Sequence, residues 1–251
     1  MNWNTLPKPA EYAENQIMDA ILEGRYPIGA ALPAERELAA RLGVTRPTLR
    51  EALQRLAREG WLEIHQGKPT RVRNYWYEGS LGVLSAIAQR PWAAPDDFIA
   101  NLLAVRKALA PAYTRQAVER QASAVVDLLE PYLSLPQSKK PAPEDSEAAL
   151  KYAEFDWQVH HTLTILSGNP IYTLIFNGFR ELYPPMAAQY FRSTTARASS
   201  RSFYASLSSA AQAANPDIAE AVTRRAMTVS ISLWRATMTE LHNASHTPKE
   251  G

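Results

Sequence analysis

Apolar residues recur every three or four positions along most of this chain, and the period changes to two in only one short region. Leu49, Ala52, Leu53 and Leu56 fall at i, i+3, i+4 and i+7, which is one buried stripe of an α-helix. Arg46, Arg50, Gln54 and Arg58 recur every four residues on a different face of the same helix. Thr45 stands before it as an N-cap, able to accept a hydrogen bond from a first-turn amide. Pro47 occupies a position where no intrahelical N–H is required. A shorter helix opens at Pro33 and Ala34, runs through Leu42 and closes at Gly43, which supplies the turn of a helix-turn-helix. Trp61–His65 and Thr70–Arg73 then alternate like strands around a Gln66-Gly67-Lys68-Pro69 turn. A helix-turn-helix followed by a basic hairpin is a winged helix.

The rest of the chain is read as helical. One helix is expected over 9–23, ending at Gly24. After the wing, Asn74 to Gly79 is a connector rich in aromatics, with Tyr75 and Trp76 expected to pack against the second domain. Helices are predicted near 80–90, 95–120, 123–134, 147–167, 170–192, 198–213 and 215–242. Phe98, Leu102, Val105 and Leu109 form one apolar stripe, and Pro111 is expected to kink its helix. The fold class is therefore mainly α. A winged helix-turn-helix with a small β-hairpin spans 1–73, a linker 74–79, an antiparallel α-helical bundle 80–242 and a disordered tail 243–251. A polar, low-complexity loop covers Pro136–Asp145.

Charge separates the two parts. Residues 36–73 carry nine Arg or Lys against four Glu, a local +5, whereas the whole 251-residue chain is only +2. Positive potential thus sits where the helix-turn-helix is, as phosphate binding requires. No apolar run reaches the length of a membrane span, and the N-terminus lacks a signal-peptide pattern. The chain has no cysteine, so neither disulfides nor thiolate chemistry enter, and a cytoplasmic location fits. Only ten glycines are present, and no phosphate-cradling loop or nucleophile motif occurs. These absences argue against an enzyme.

The run Leu32–Glu51, with Leu53–Arg58 and Gly67–Thr70, resembles the GntR family of bacterial transcriptional regulators, in particular its FadR branch. The likeness continues through Asn74-Tyr75-Trp76, Asn101–Arg106, Ser167–Tyr172 and Tyr190-Phe191, and covers about residues 9 to 240. It implies a homodimer that binds double-stranded, palindromic operator DNA. Arg36, Thr45, Arg46, Thr48 and Arg50 are then the expected DNA contacts, with Gly67 and Lys68 placing the wing at the minor groove. The resemblance also implies a regulator of fatty-acid metabolism, with degradation repressed and synthesis a candidate for activation. Long-chain acyl-CoA would be the effector that releases the operator. A regulator of the same build that senses another metabolite, such as an organic acid, is the alternative.

Arg106 lies within an apolar helix face. It either pairs with a core carboxylate or snorkels to the rim, or it anchors an anionic ligand. The resemblance favours the ligand, and places Tyr183, Tyr190, Ser230 and Trp234 beside it as effector-binding positions. Each of these four also suits plain core packing. Asp156 and His160 share a helix face at i, i+4, a spacing that can hold a cation. Metal-binding relatives add two later histidines, and the matching positions here are Ala205 and Thr228. No metal and no cofactor are therefore expected, and Asp156–His160 is read as a buried polar pair. Three further positions depart from the FadR pattern. Met227 replaces a glycine, Val229 replaces a glutamate, and Pro47 replaces a threonine. The first two bear on effector recognition and the last on operator preference.

Overall fold

The computed structural model describes residues 8–95, 97–133 and 146–245. They divide into two compact units between Ala94 and Pro95. In the first unit, α1 (Pro9–Leu22) and α2 (Glu35–Leu42) pack on α3 (Arg46–Glu59). The apolar stripe of α3 is buried throughout: Leu49, Ala52, Leu53 and Leu56 are at most 3% exposed. Each such leucine contributes about 1.5–3 kcal/mol by leaving water. Gly43 and Gly60 end α2 and α3 in the left-handed region, with φ of 67° and 92°. That conformation lets the next amides return to the last carbonyls of each helix.

The wing is shorter than the alternation predicts. Its strands are only β1 (Leu62–Glu63) and β2 (Arg71–Val72), paired antiparallel with Leu62 opposite Val72. Trp61 does not join β1, because its N–H closes the end of α3 on Leu56 O at 2.9 Å. The other edge of β2 is covered by residues 29–32. Val72 N–H donates to Ala30 O at 2.9 Å, and Leu32 N–H donates to Thr70 O at 2.8 Å. Gly-Ala-Ala-Leu carries no alternation, so nothing in the sequence marked this pairing, an isolated bridge of Ala31 to Arg71.

The connector also behaves differently from expectation. It forms a single turn, α4 (Tyr75–Glu78), and the Tyr75 ring lies on Trp61 with centroids 4.7 Å apart. Tyr75 therefore packs on Trp61 within the first unit. The following helix, α5 (Leu81–Ala88), belongs to the first unit too. Beyond its end, Arg90 is buried and bonds to Asp19 and Asn15 of α1, at 2.5 and 2.9 Å. The unit boundary thus falls at 94/95, not at the expected 79/80, because this ion pair ties 80–94 to the head.

The second unit is a helical bundle of α6 (Phe98–Leu133), α7 (Ser146–Leu166), α8 (Pro170–Asn177), α9 (Tyr183–Tyr190), α10 (Thr194–Gln212) and α11 (Pro216–Ser245). Helix α6 packs against α7, α10 and α11, while α8 and α9 pack against α7. The core is built from Tyr113, Ala117, Val125, Val159, Leu163, Tyr204, Leu207 and Met227, among others. Two predicted helices are joined in α6. The backbone leaves helical geometry at Gln121 (φ −146°, ψ 53°), not at Pro111, which stays inside the helix. The single helix expected over 170–192 is split. Pro184 and Pro185 cannot continue a helix but suit a first turn, so a new one starts at Tyr183. Helix α11 extends to Ser245, three residues into the predicted tail. The Pro136–Asp145 loop and the remaining tail lie outside the described residues.

Candidate nucleic-acid interface and ligand cavity

In the first turn of α3, Thr45 Oγ1 accepts from Thr48 N–H at 3.3 Å and lies 2.8 Å from the Thr48 hydroxyl. This cap fixes where the helix begins and leaves Arg46 and Arg50 exposed beyond it. Both arginines are gathered by Glu35 at the start of α2. Arg50 Nε donates to its carboxylate at 2.7 Å, and Arg46 Nη2 is 3.9 Å away. Arg36, next to Glu35, is exposed and makes no ion pair among the described residues. The cations therefore project from the junction of the two helices, the geometry by which a recognition helix presents its N-terminal residues to a groove.

At the wing tip, Gly67 takes φ 74° and Lys68 N–H closes the turn on His65 O at 3.2 Å. Gly67 and Lys68 are both exposed. Arg71 is committed elsewhere, donating to Gly29 O at 2.9 Å, and Arg73 pairs with Glu78 at 3.2 Å. The seven expected DNA-contact residues thus occupy two features of one unit, the α2/α3 junction and the wing tip.

The second unit encloses a cavity of about 90 Å³. Leu102, Leu103, Val105 and Leu109 of α6 line it, facing Tyr172, Phe176, Phe179, Leu182, Met186 and Ala187. The α6 stripe therefore makes a cavity wall rather than solid core; only Phe98 of its four members is buried, and Val105 is 44% exposed. All five residues expected at an effector site, Arg106, Tyr183, Tyr190, Ser230 and Trp234, lie on this lining. Among the described residues, Arg106 is its only basic residue.

Arg106 does not stand alone. Its Nη2 donates to Asp156 Oδ2 at 3.0 Å and to His160 Nε2 at 2.7 Å. The hydroxyls of Tyr183 and Tyr204 donate to the two oxygens of Asp156. Arginine offers donors only, so His160 Nε2 must accept through its lone pair. The imidazole proton then sits on Nδ1, which donates to the Tyr113 hydroxyl at 2.7 Å. Burial, helped by the Arg106 charge, pushes the His160 pKa down to about 3. Burial raises the Asp156 carboxyl, but the Arg106 charge and the hydrogen bonds from the two tyrosine hydroxyls outweigh it and hold the group below the usual carboxylate range. Tyr183 and Tyr204 are pushed well up by burial and by Asp156. Arg106 is thus paired with a core carboxylate and also lines the cavity.

Asp156 and His160 are 3% and 0% exposed, a buried polar pair. At the positions matched to the later metal ligands, Ala205 and Thr228 are exposed, whereas the pair is buried. Tyr204 meets Asp156 instead, and the Arg106 guanidinium occupies the space between carboxylate and imidazole. Among the described residues, no three metal-ligating side chains gather. Met227 lies in the core and lines a small second cavity of about 10 Å³, together with Arg106, Asp156, Tyr190, Ser199, Ser200 and Ser230. It does not line the larger cavity. Val229 is 37% exposed on a surface depression of α11.

Residues 9–72 match the family model for the bacterial regulatory proteins of the gntR family, and residues 73–245 match the FadR C-terminal domain. The chain belongs to the GntR family, in its FadR branch. Membership makes it a DNA-binding transcriptional regulator. Curated relatives agree with the placement. The fatty acid metabolism regulator protein of Shewanella pealeana is 45% identical over 79% of each chain. That of Shewanella frigidimarina is 42% identical over 90% of this chain and 91% of its own. Among solved structures, the Listeria monocytogenes protein Lar, described as controlling expression of the agr system, covers 94% of this chain and 99% of its own. Its TM-score is 0.57 at 16% identity, a likeness of fold.

Within this GntR chain, sequence reasoning missed Tyr113 and Tyr204. Both carry hydroxyls into the Arg106 cluster, but in the sequence they sit at ordinary core positions of long helices. Phe176, Phe179 and Met186 were missed because the break between α8 and α9 was missed.

Proposed function

We propose that this chain is a homodimeric regulator of fatty-acid metabolism, acting in the cytoplasm on palindromic operators and released from them by long-chain acyl-CoA. The observation that carries the reading is the cavity. Its lining is almost wholly apolar, with one polar wall built on Arg106, and it lies inside a FadR C-terminal domain. Such a lining suits a long alkyl chain, and gives a small hydrophilic acid few groups to bond with. The names of the curated relatives point the same way. The head supplies one recognition helix per subunit, and a two-fold dimer matches a two-fold operator.

In this reading Arg36, Thr45, Arg46, Thr48 and Arg50 contact the operator, and Gly67 and Lys68 carry the wing to it. The free dimer holds both heads at operator spacing, and the ligand favours an arrangement that does not. The ligand acts only through its different affinity for the two arrangements. The chain needs no cofactor and carries no catalytic role. Operator binding followed by fluorescence anisotropy, titrated with long-chain acyl-CoA, free fatty acid and CoA, tests the proposal. Acyl-CoA should release the DNA and CoA should not. Failure of acyl-CoA to bind or to release would sink the effector and leave the DNA-binding assignment standing.

A further inference from the structure

The charged groups of the cavity lie together on one wall. Arg106, Asp156, Tyr190 and Ser230 line both the large cavity and the small one behind it, and Tyr183 bonds to Asp156 at the same place. A ligand that fills the apolar part must turn its own polar group towards this wall. What the wall can accept follows from its charge.

Arg106 supplies one positive charge, and Asp156, 3.0 Å away, cancels it. His160 adds none, because its Nε2 accepts from Arg106 and the ring is neutral. Tyr183 and Tyr204 already donate their hydroxyl protons to Asp156. Among the described residues this leaves the N–H groups of Nε and Nη1 of Arg106 without a hydrogen-bond partner, Nε being buried. An N–H of this guanidinium can bond a neutral carbonyl oxygen without changing the charge of the site. A carboxylate would place a second anion beside Asp156 with no second cation, in surroundings too apolar to screen it. Asp156 cannot relieve this by taking a proton, since Arg106 and its hydrogen bonds favour the ionised form.

We propose that Asp156 makes the cavity select a neutral acyl group, a thioester or ester, over the free carboxylate of a fatty acid. This rests on the fatty-acyl reading above and assigns Asp156 as a specificity-determining residue of that site. The carboxylate acts through Arg106. It takes away the net charge that would otherwise attract an anion.

Displacement of the neutral dye Nile red from the full-length protein tests the assignment, with palmitate, methyl palmitate and palmitoyl-CoA as competitors at neutral pH. On the wild type, methyl palmitate and palmitoyl-CoA displace the dye, and palmitate needs at least about tenfold more. Acidification that protonates palmitate narrows the gap, while methyl palmitate is unaffected. This arm needs no variant. In D156N, which is isosteric, palmitate gains about tenfold and methyl palmitate does not change; circular dichroism reports whether that variant is folded. Palmitate matching methyl palmitate on the wild type, or an unaltered gap in folded D156N, overturns the role of Asp156 and leaves the fatty-acyl reading in place. Displacement by none of the three overturns both.

Discussion

Nη2 of Arg106 lies 2.7 Å from Nε2 of His160, so a permanently charged donor faces an imidazole nitrogen that must remain unprotonated. The folded state therefore excludes the imidazolium.

The consequence for stability has a definite sign. His160 has its pKa lowered to about 3 in the fold, from an ordinary value of 6.5. Below that ordinary value the unfolded chain takes up a proton that the folded chain refuses. Stability from this residue is complete above pH 6.5 and is lost as pH falls towards 3. The expected loss is on the order of 1.4 kcal/mol per pH unit within that window. Urea unfolding at several pH values should show this slope in the wild type and its absence in His160→Gln. Equal slopes would mean that the imidazole accepts a proton in the fold.

Arg46→Ala should weaken specific operator binding by roughly 1–3 kcal/mol and relax preference at one base position, as expected for an arginine that reads a base edge. Anisotropy on operator and on random DNA, at two salt concentrations, separates the cases. An equal loss on both DNAs would make Arg46 a phosphate contact.

Gly60→Ala should destabilise the DNA-binding unit by about 2 kcal/mol or more. Its φ is 92°, and an added Cβ would stand 2.5 Å from Glu78 O and 2.8 Å from Gly79 Cα, which are backbone atoms with little freedom to yield. Gly24→Ala is the control. Its φ of 78° is comparable, but nothing lies within 4 Å of the new carbon, so only the backbone penalty of about 1–2 kcal/mol remains. Thermal melts of the two variants should separate clearly.

Ala187→Trp should block the effector without touching the head. Ala187 lines the cavity, and an indole there takes the space that an alkyl chain would use. Acyl-CoA affinity should fall at least about tenfold, with operator affinity unchanged. Unaltered acyl-CoA release would place the ligand elsewhere.

Much of this was legible in the residues. Thr45, Gly43 and the Leu49–Leu56 stripe act locally, through a cap, a left-handed turn and helical spacing, and each behaves as the pattern predicts. Arg106, Tyr183, Tyr190, Ser230 and Trp234 come together as the family resemblance implied. What stayed hidden depends on contacts distant in sequence. The 29–32 segment pairs only because β2 offers it a partner, and the Tyr75 ring finds Trp61. The division at Ala94 rests on Arg90 reaching Asp19, 71 positions back in the chain. Val105 and Leu109 have the spacing of core residues, yet they face a cavity, and periodicity cannot tell a filled interior from an empty one.

The cluster around Asp156 also ties four helices together. Arg106 comes from α6, Asp156 and His160 from α7, Tyr183 from α9 and Tyr204 from α10, all within one set of hydrogen bonds. Each bond broken in such a dry setting leaves a polar group stranded, at about 1–3 kcal/mol. None of the four helices can slide by an ångström on its own without that penalty. The bundle is therefore braced where its cavity is polar, and moving the guanidinium breaks its bonds to both Asp156 and His160.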